Sequence, residues 1–204
     1  MKRLILILML IVPLTMKAEG VHEYGFKRIT FGAEWSYIAS FHYGIHHNFF
    51  SEEGYRVNLN QQAMGYWSNG EVHLHVGYNL TNDWNLAFYT GFAGVHNFNH
   101  VMPMTLRATR YFKENEKSDR FFCFIDGGSG VCLKARPQMT ATGKAGGGYR
   151  ISLSKTTKMD ILLAYRMSLV HPEIVFDGYT VTDDKTNRNN AYVSSFSIGV
   201  SLSF

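Results

Sequence analysis

The sequence has 204 residues, of which 18% are charged and 15% aromatic, and its formal net charge is +4. Three of the positive charges, on Lys2, Arg3 and Lys17, lie at the N-terminus, so the rest of the chain is close to neutral. This balance gives no support to a nucleic-acid partner, which needs clustered positive charge. Abundant aromatic residues and only four prolines favour a chain rich in β-strands.

The N-terminus has the pattern of a secretory signal peptide. Lys2 and Arg3 precede an apolar run over residues 4–14 that only Pro13 interrupts, and the small residue Ala18 offers a cleavage point. The run is too short for a membrane-spanning helix, which needs ~20 apolar residues. We therefore expect residues 1–18 to be a signal peptide. No other long apolar run follows, so a mature chain that crosses a bilayer must do so as a closed barrel.

The sequence after residue 18 alternates between apolar and polar or small residues, which predicts β-strands because side chains alternate across a strand. In the second strand Val72, Leu74 and Val76 share one face, and His73 and His75 share the other. An apolar face toward lipid and a polar face toward a lumen is typical of a transmembrane barrel. In chain order, the predicted strands cover residues 29–42, 71–80, 84–93, 102–109, 121–129, 138–154, 159–169 and 192–204.

Eight strands is an even number and the smallest common size for an outer-membrane barrel. The connections after the second, fourth and sixth strands are short, whereas residues 43–70 and 171–190 form long connections after the first and seventh. Short periplasmic turns and longer extracellular loops are typical of these barrels. We therefore predict an all-β fold, an eight-stranded antiparallel up-and-down transmembrane β-barrel of residues 19–204. We expect it to be a monomer in the bacterial outer membrane.

Several segments carry a resemblance to a known family. They are FGAEWSY in the first strand, FFCFIDGGSG, GGGYRISLSKTTKMDILLAYRMS and the terminal SFSIGVSLSF. Together with the signal peptide, these segments resemble the small eight-stranded outer-membrane barrels of Gram-negative bacteria, the OmpX- and OmpA-like group. The resemblance implies an outer-membrane location and identifies Phe204 as the signal that the barrel-assembly machinery reads. It does not imply an activity, because one fold carries many functions.

Eight charged residues fall on lumen-facing positions of the predicted strands. An eight-stranded barrel is just wide enough for its side chains to fill it, and an unpaired buried charge is costly. We expect these residues to form a plug of ion pairs that counts against an open pore; a proton relay or selectivity filter is the alternative. They are the acids Glu34, Glu71, Asp126 and Asp160 and the bases Arg107, Lys144, Arg150 and Arg166.

Most of the histidines are predicted to gather at one mouth of the barrel. His42 ends the first predicted strand at the extracellular rim, and His73 and His75 descend from that rim on the lumen face of the next strand. Two histidines on one strand face can offer two nitrogens to a zinc, copper or nickel ion. His42, His73 and His75 are therefore candidates for metal binding or a pH response. Ordinary polar lumen positions are the simpler interpretation, and we predict no cofactor.

Cys123 and Cys132 have two interpretations. In one continuous strand they lie ~30 Å apart, too far for a disulfide. A turn at residues 126–130 would instead let them pair across two strands in the oxidising periplasm. The count of eight strands favours the continuous strand and free thiols.

The leading functional prediction is a non-enzymatic structural or surface-binding barrel. The loops 43–70 and 171–190 mix aromatic and polar residues, which suggests an extracellular protein or glycan partner. One alternative is a narrow porin-like channel. Another is a lipid-modifying enzyme, which needs a nucleophile, a base and an orienting group within reach of one another. Ser36, Ser40, His42, His75 and Glu34 could supply them, although no motif links these residues.

Overall fold

The structure, a computed structural model, describes residues 28–95, 99–112, 119–133, 139–154 and 156–204. The predicted signal peptide lies outside these residues. Eight long strands build the fold, and a short hairpin and a 3-10 helix (Asp183–Lys185) connect the last two of them. The strands are β1 (Ile29–Phe50), β2 (Arg56–Asn79), β3 (Trp84–Val95), β4 (Asn99–Phe112), β5 (Arg120–Cys132), β6 (Met139–Ser152), β7 (Lys158–Val170), β8 (Val175–Phe176), β9 (Tyr179–Thr180) and β10 (Thr186–Ser203).

The long strands form a closed antiparallel barrel in the order β1-β10-β7-β6-β5-β4-β3-β2. Each strand therefore pairs with its neighbour in the chain, and the last strand closes against the first. At this seam Phe31 and Phe204 exchange two backbone hydrogen bonds, of 2.8 and 3.3 Å, and their rings stack. The predicted fold, an eight-stranded antiparallel up-and-down barrel, is confirmed. Among the described residues, no helix is long and apolar enough to span a membrane.

The alternation of side chains separates an apolar outer surface from a polar interior. On β2, for example, Leu74 is 63% exposed, whereas its neighbour His75 is 5% exposed. The outer apolar band on β1 runs from Phe31 to Phe41, which is ~33 Å along the strand and ~25 Å in height for a strand tilted by ~35–45°. That height matches the lipid-facing band of outer-membrane barrels. The predicted inward and outward faces are therefore correct over this height.

Residues 43–70 do not form the long loop that the sequence predicts, because most of them belong to β1 and β2. The two strands stay paired far beyond the barrel mouth, from Tyr43 opposite Ala63 to Phe50 opposite Arg56, and only residues 51–55 turn. The lipid-facing pattern ends near Phe41 because no lipid surrounds the chain above that height. The backbone hydrogen bonds between β1 and β2 do not depend on that pattern, so the two strands stay paired.

A β-bulge at Phe41 reverses the direction of the following side chains. Ser40 pairs with Ser195, but His42 pairs with Ser194, the next residue of β10. Because Ser194 and Ser195 point to opposite faces, His42 faces outward rather than into the lumen. Tyr43, Ile45 and the odd-numbered residues that follow now face inward. The predicted lumen position of His42 is therefore wrong.

The predicted loop 171–190 is also more ordered than expected. It contains the β8–β9 hairpin, with Asp177 and Gly178 at positive φ in its turn, then the 3-10 helix and the first residues of β10. Cys123 and Cys132 both lie on the continuous strand β5 as free thiols, as predicted.

Candidate functional site

Arg107 on β4 joins carboxylates from two other strands inside the barrel. Its guanidinium donates to both side-chain oxygens of Glu34 on β1, at 2.6 and 3.1 Å, and to Oδ2 of Asp126 on β5, at 3.0 and 3.2 Å. The same group lies 4.0 Å from the ring centroid of Tyr89 and 4.4 Å from that of Phe124. Charge-assisted hydrogen bonds in its plane and aromatic rings on its faces therefore hold this cation in one place.

A second cluster continues from the first. Nζ of Lys144 on β6 contacts Oε1 of Glu71 on β2 and lies 3.8 Å from Oε1 of Glu34, so one ammonium group serves two carboxylates. Oε2 of Glu71 lies 3.7 Å from Nη1 of Arg166 on β7. These contacts cross the lumen between strands that are not neighbours in the barrel wall. They connect β1, β2, β6 and β7 through charge.

A third pair lies toward the end of the barrel that holds the short turns. Arg150 on β6 makes a bidentate contact with Asp160 on β7, with Nε–Oδ1 and Nη2–Oδ2 distances of 2.6 and 2.7 Å. Its guanidinium also lies 4.3 Å from the ring centroid of Tyr111. All eight lumen charges named from the sequence are thus buried, and each lies within 4 Å of a group of opposite charge.

Sequence reasoning missed one further buried cation. Arg120 was assigned to a turn, but it is the first residue of β5 and lies inside the barrel, where Nη1 donates to the carbonyl of Asn82 at 2.9 Å. Its guanidinium lies 4.1 Å from the ring centroid of Tyr111, opposite Arg150. The sequence does indicate this position, because Arg120 and Asp126 are separated by an even number of residues and therefore lie on the same face of the strand.

Little space remains within this interior. The cavity of about 20 Å³ beside His75, Tyr89 and Asp160 holds about one water molecule. Toward the other mouth, a layer of buried apolar side chains lies above the charges. Its buried members come from β3, β4, β7 and β10, with Tyr43 and Ile45 of β1 packed against them: Val95, Val101, Val170, Ala191 and Val193.

The three histidines proposed as metal ligands do not converge. His73 lies opposite Glu34 and His75 opposite Gly32, deep in the lumen, whereas His42 faces outward ten residues further along β1. Ten residues of strand cover ~33 Å, so His42 cannot share an ion with His75. The three candidate metal ligands therefore do not share one site, and His73 and His75 lie deep in the lumen rather than at the mouth where they were expected.

A different set of side chains near His73 has the spacing of a metal site. Ligand atoms of Glu34, Glu71 and His73 lie within 4.8 Å of one another. Both carboxylates are already compensated by Arg107 and Lys144. A divalent cation would have to enter beside these two bases, and like charges at that distance repel strongly at low dielectric. The arrangement therefore favours ion pairs between side chains.

Above the apolar layer, three strands continue as a projecting sheet, which we define as residues 42–50 of β1, 56–66 of β2 and 186–192 of β10. Its inner side is covered by residues 171–185, which we call the cap. Phe49 is fully buried there against Ile174 and Val181. Polar contacts anchor the cap: the hydroxyl of Tyr179 accepts from the backbone N–H of Glu52 at 3.0 Å, Nδ2 of Asn189 donates to the carbonyl of Pro172 at 2.6 Å, and Nδ1 of His171 contacts the carbonyl of Asn189.

His47 is the titratable group under this cap. It faces inward, between Leu59 on β2 and Asn189 on β10, and is only 7% exposed. Nε2 of the ring is buried without a hydrogen-bond partner among the described residues. Burial, followed by the neighbouring His46, lowers the pKa of His47 below its ordinary value.

The outer surface and the interior together define a transmembrane β-barrel, because apolar side chains face outward over ~25 Å and charges are paired inside. Comparison with solved structures agrees. OprG, an outer membrane protein from Pseudomonas aeruginosa, matches with a TM-score of 0.53 and 8% identity over 87% of this chain and 96% of that one. Neisserial surface protein A matches with a TM-score of 0.47 and 12% identity, over 85% and 95% of the two chains.

Ail, the attachment invasion locus protein of Yersinia pestis, gives a TM-score of 0.38 at 12% identity, over 88% of this chain and 100% of that one. No family model matches the sequence, and a search of curated proteins finds no match. The chain therefore has the fold of the small eight-stranded outer-membrane barrels, the OmpX- and OmpA-like group, as the sequence predicted. This fold and the apolar outer band are those of a protein of the bacterial outer membrane.

Proposed function

We propose that this barrel is a non-enzymatic membrane anchor whose projecting sheet binds an extended segment of a partner protein at the cell surface. The free edge of β2 is the observation that carries the proposal. β2 pairs with β3 only from Glu71 onward, so residues 56–66 pair with β1 on one side and with no described strand on the other. An exposed strand edge presents a row of backbone donors and acceptors to another chain, which is the basis of strand addition.

The composition of this edge also supports strand addition. Natural edge strands are usually protected by charged residues or proline. Residues 57–66, with the sequence VNLNQQAMGY, contain neither. Met64 is 84% exposed and Tyr66 is 69% exposed, so large side chains flank the free backbone. An extended partner could therefore gain both backbone hydrogen bonds and side-chain contacts.

The interior supports a structural role rather than transport or catalysis. The ion pairs and the apolar layer fill the lumen, which argues against the porin-like alternative. The residues considered for an enzyme do not form one site. Ser40 faces the lumen eight residues along β1 from Gly32, the residue opposite His75, and His42 faces outward. Glu34 lies nearer to His75 but is already paired with Arg107. We propose that the ion pairs act as a plug, that Phe204 serves in barrel assembly, and that the protein is a monomer.

Two single proline substitutions test the proposed edge. Backbone N–H groups of consecutive strand residues point to opposite edges of the strand. One of the two variants, Gln62→Pro or Ala63→Pro, therefore removes a donor from the free edge, and the other removes a hydrogen bond to β1. We expect the free-edge variant to keep the unfolding temperature of the parent and to lose the partner captured from intact envelopes by a photo-crosslinker at Met64.

Gln62→Ala and Ala63→Ser are the matched controls, because they change side chains and keep every backbone donor. Both controls should retain the crosslinked partner. Retention of the partner by both proline variants would refute strand addition at this edge. Loss of the partner in the Gln62→Ala or Ala63→Ser control as well would indicate recognition of side chains instead.

A further inference from the structure

The outer face of the projecting sheet has a one-sided charge distribution. Its register brings these residues onto this face: His42, Gly44, His46, Asn48 and Phe50 of β1, Arg56, Asn58, Asn60, Gln62, Met64 and Tyr66 of β2, and Arg188, Asn190 and Tyr192 of β10. None of them is acidic, and two are arginines. The acidic residues of this end, Glu52, Glu53, Glu173, Asp177, Asp183 and Asp184, lie in the turn and the cap.

The two arginines lie on either side of β1 on this face. Nε of Arg56 on β2 donates to Oδ1 of Asn48 at 2.9 Å, and Nη1 of Arg188 on β10 lies 3.4 Å from Nδ1 of His46. Asn48 pairs with Arg188 in the register of the sheet, so the two guanidiniums flank β1. Both are exposed, and the contacts they make are with an amide and an imidazole and not with a carboxylate. Their charge is therefore available to an anion.

The height of this pair above the membrane limits which anion can reach it. On β1 the apolar band ends at Phe41, whose ring lies beside those of Phe196 and Tyr165. Asn48 lies seven residues beyond Phe41, which is ~23 Å along the strand and ~16–19 Å in height at the usual tilt. The head-group layer of a phospholipid bilayer is only ~5–8 Å thick on each side. Phospholipid phosphates therefore end well below the two arginines.

We propose that the outer face of the projecting sheet binds the phosphorylated saccharide head group of a glycolipid in the outer leaflet, with Arg56 and Arg188 as its phosphate ligands. Such a head group, as in lipopolysaccharide, extends the anionic layer by several sugar units beyond the acyl chains. Guanidinium forks match phosphate geometry and form charge-assisted hydrogen bonds. The face is continuous with the lipid-facing band, so a lipid beside the barrel lies directly against it.

The remaining residues of the face suit sugars. His42 lies one residue above Phe41, at the level of the membrane surface, and its ring lies beside Gly44. Between His42 and the arginines, Asn60, Gln62 and Asn190 present amide groups that can both donate to and accept from hydroxyls. Amides and imidazoles thus line the path from the membrane surface to the arginines, with no carboxylate to repel a phosphate.

The test uses the full barrel in nanodiscs of zwitterionic phospholipid, with purified lipopolysaccharide as the probe. We expect Arg56→Gln combined with Arg188→Gln to weaken binding at least tenfold at physiological salt. Arg110→Gln is the matched control, because Arg110 is an exposed outward arginine at the opposite end, beside Trp84. It should leave binding unchanged. Arg56→Lys combined with Arg188→Lys keeps the charge and should retain most of the affinity.

Three further measurements separate the possible outcomes. Lipopolysaccharide without its phosphates should bind the parent protein weakly. Its affinity should equal that of intact lipopolysaccharide for the double glutamine variant. Vesicles containing an anionic phospholipid should bind parent and variant equally. Equal binding of lipopolysaccharide by parent and double variant overturns the proposal, as does an equal loss in the Arg110 control. If the double variant does not fold, the two single variants decide, each with a partial loss expected.

This proposal does not depend on a partner at the β2 edge. The proline substitutions at residues 62 and 63 act on the backbone and should leave lipopolysaccharide binding unchanged, whereas the arginine substitutions should leave the crosslinked protein unchanged. Failure of one proposal is therefore distinguishable from failure of the other.

Discussion

Replacement of Arg107 by methionine should be among the most destabilising single changes in this barrel. The substitution removes the cation that Glu34 and Asp126 share and leaves two buried carboxylates, of which only Glu34 keeps another base within 4 Å, Lys144 at 3.8 Å. Removing one partner of a buried ion pair costs ~3–5 kcal/mol. The loss of the contacts with the rings of Tyr89 and Phe124 adds to that cost, at ~0.5–2 kcal/mol. We expect a loss of about 3–5 kcal/mol or more in the free energy of unfolding.

The assay is urea unfolding of the barrel refolded into phospholipid vesicles, followed by tryptophan fluorescence. Arg110→Met is the control, because this arginine lies at the membrane surface, where a charge costs or contributes only ~0–1 kcal/mol. The double variant Arg107→Met with Asp126→Asn removes one charge of each sign. It should be more stable than the sum of the two single effects by ~0.5–3 kcal/mol, the range for residues in one network.

A destabilisation by Arg107→Met that is no larger than that of Arg110→Met would refute the idea that the lumen charges support the fold. Additive effects of the two substitutions would refute the direct coupling between Arg107 and Asp126, even if each were destabilising. The lysine variant, Arg107→Lys, separates charge from geometry. It keeps the charge but cannot contact both carboxylates with a planar fork, so an intermediate loss is expected.

Three other predictions follow from different parts of the molecule. In planar bilayers the barrel should show no ion conductance, because charges and the apolar layer of Val95, Val101 and Val193 fill its lumen; stable single-channel steps would contradict the closed lumen. The cap should loosen as the pH falls below about 6.5, because burial lowers the pKa of His47 and the opened state then binds more protons. Proteolysis of residues 171–185 should therefore be faster at pH 5 than at pH 7.5, and the difference should shrink in His47→Gln. A membrane-impermeant maleimide on intact cells should label Cys132, which lies at the cap end of β5. It should not label Cys123, which faces lipid near the other end of the strand. Labelling of the Cys132→Ser variant would show that the barrel has the reverse orientation in the membrane.

The sequence was sufficient to predict the barrel wherever lipid contact sets the pattern. Over the height from Phe31 to Phe41, each residue that faces lipid must be apolar, so the strands and their inward charges could be assigned from alternation alone. The same reasoning placed Glu34, Arg107 and Asp126 on the inner face, although it could not show that one guanidinium serves both acids. That detail depends on the register between strands and on the tilt of the barrel, neither of which a single strand encodes.

Outside that height the sequence was less informative for a physical reason. Above Phe41 water surrounds the strands, so the side chains on either face can be polar. The paired strands there carry no lipid-facing pattern, and the sequence predicts loops for them. The bulge at Phe41 is a second limit, because one extra residue in one strand reverses every following side chain without changing the composition. His42 was therefore assigned to the wrong face, and the apolar layer around Val193 was not foreseen.

The position of the ion pairs explains how such a barrel can specify its own register. A slip of one residue between two strands moves all side chains of the slipped strand to the opposite face. In a soluble sheet the hydrophobic effect penalises that slip, but here the outer solvent is itself apolar, and the interior holds the charged groups beside only a small cluster of buried apolar side chains, Tyr111, Phe122, Phe124, Leu162 and Ala164. The penalty instead comes from charge, because a slip of β1 would move Glu34 into lipid and leave Arg107 and Lys144 without it. Since these contacts join strands that are not neighbours, such as β1 with β4 and β2 with β6, they constrain the closed barrel as a whole. The serine face of β10 leaves room for those long side chains at the seam, where Ser201 lies opposite Glu34.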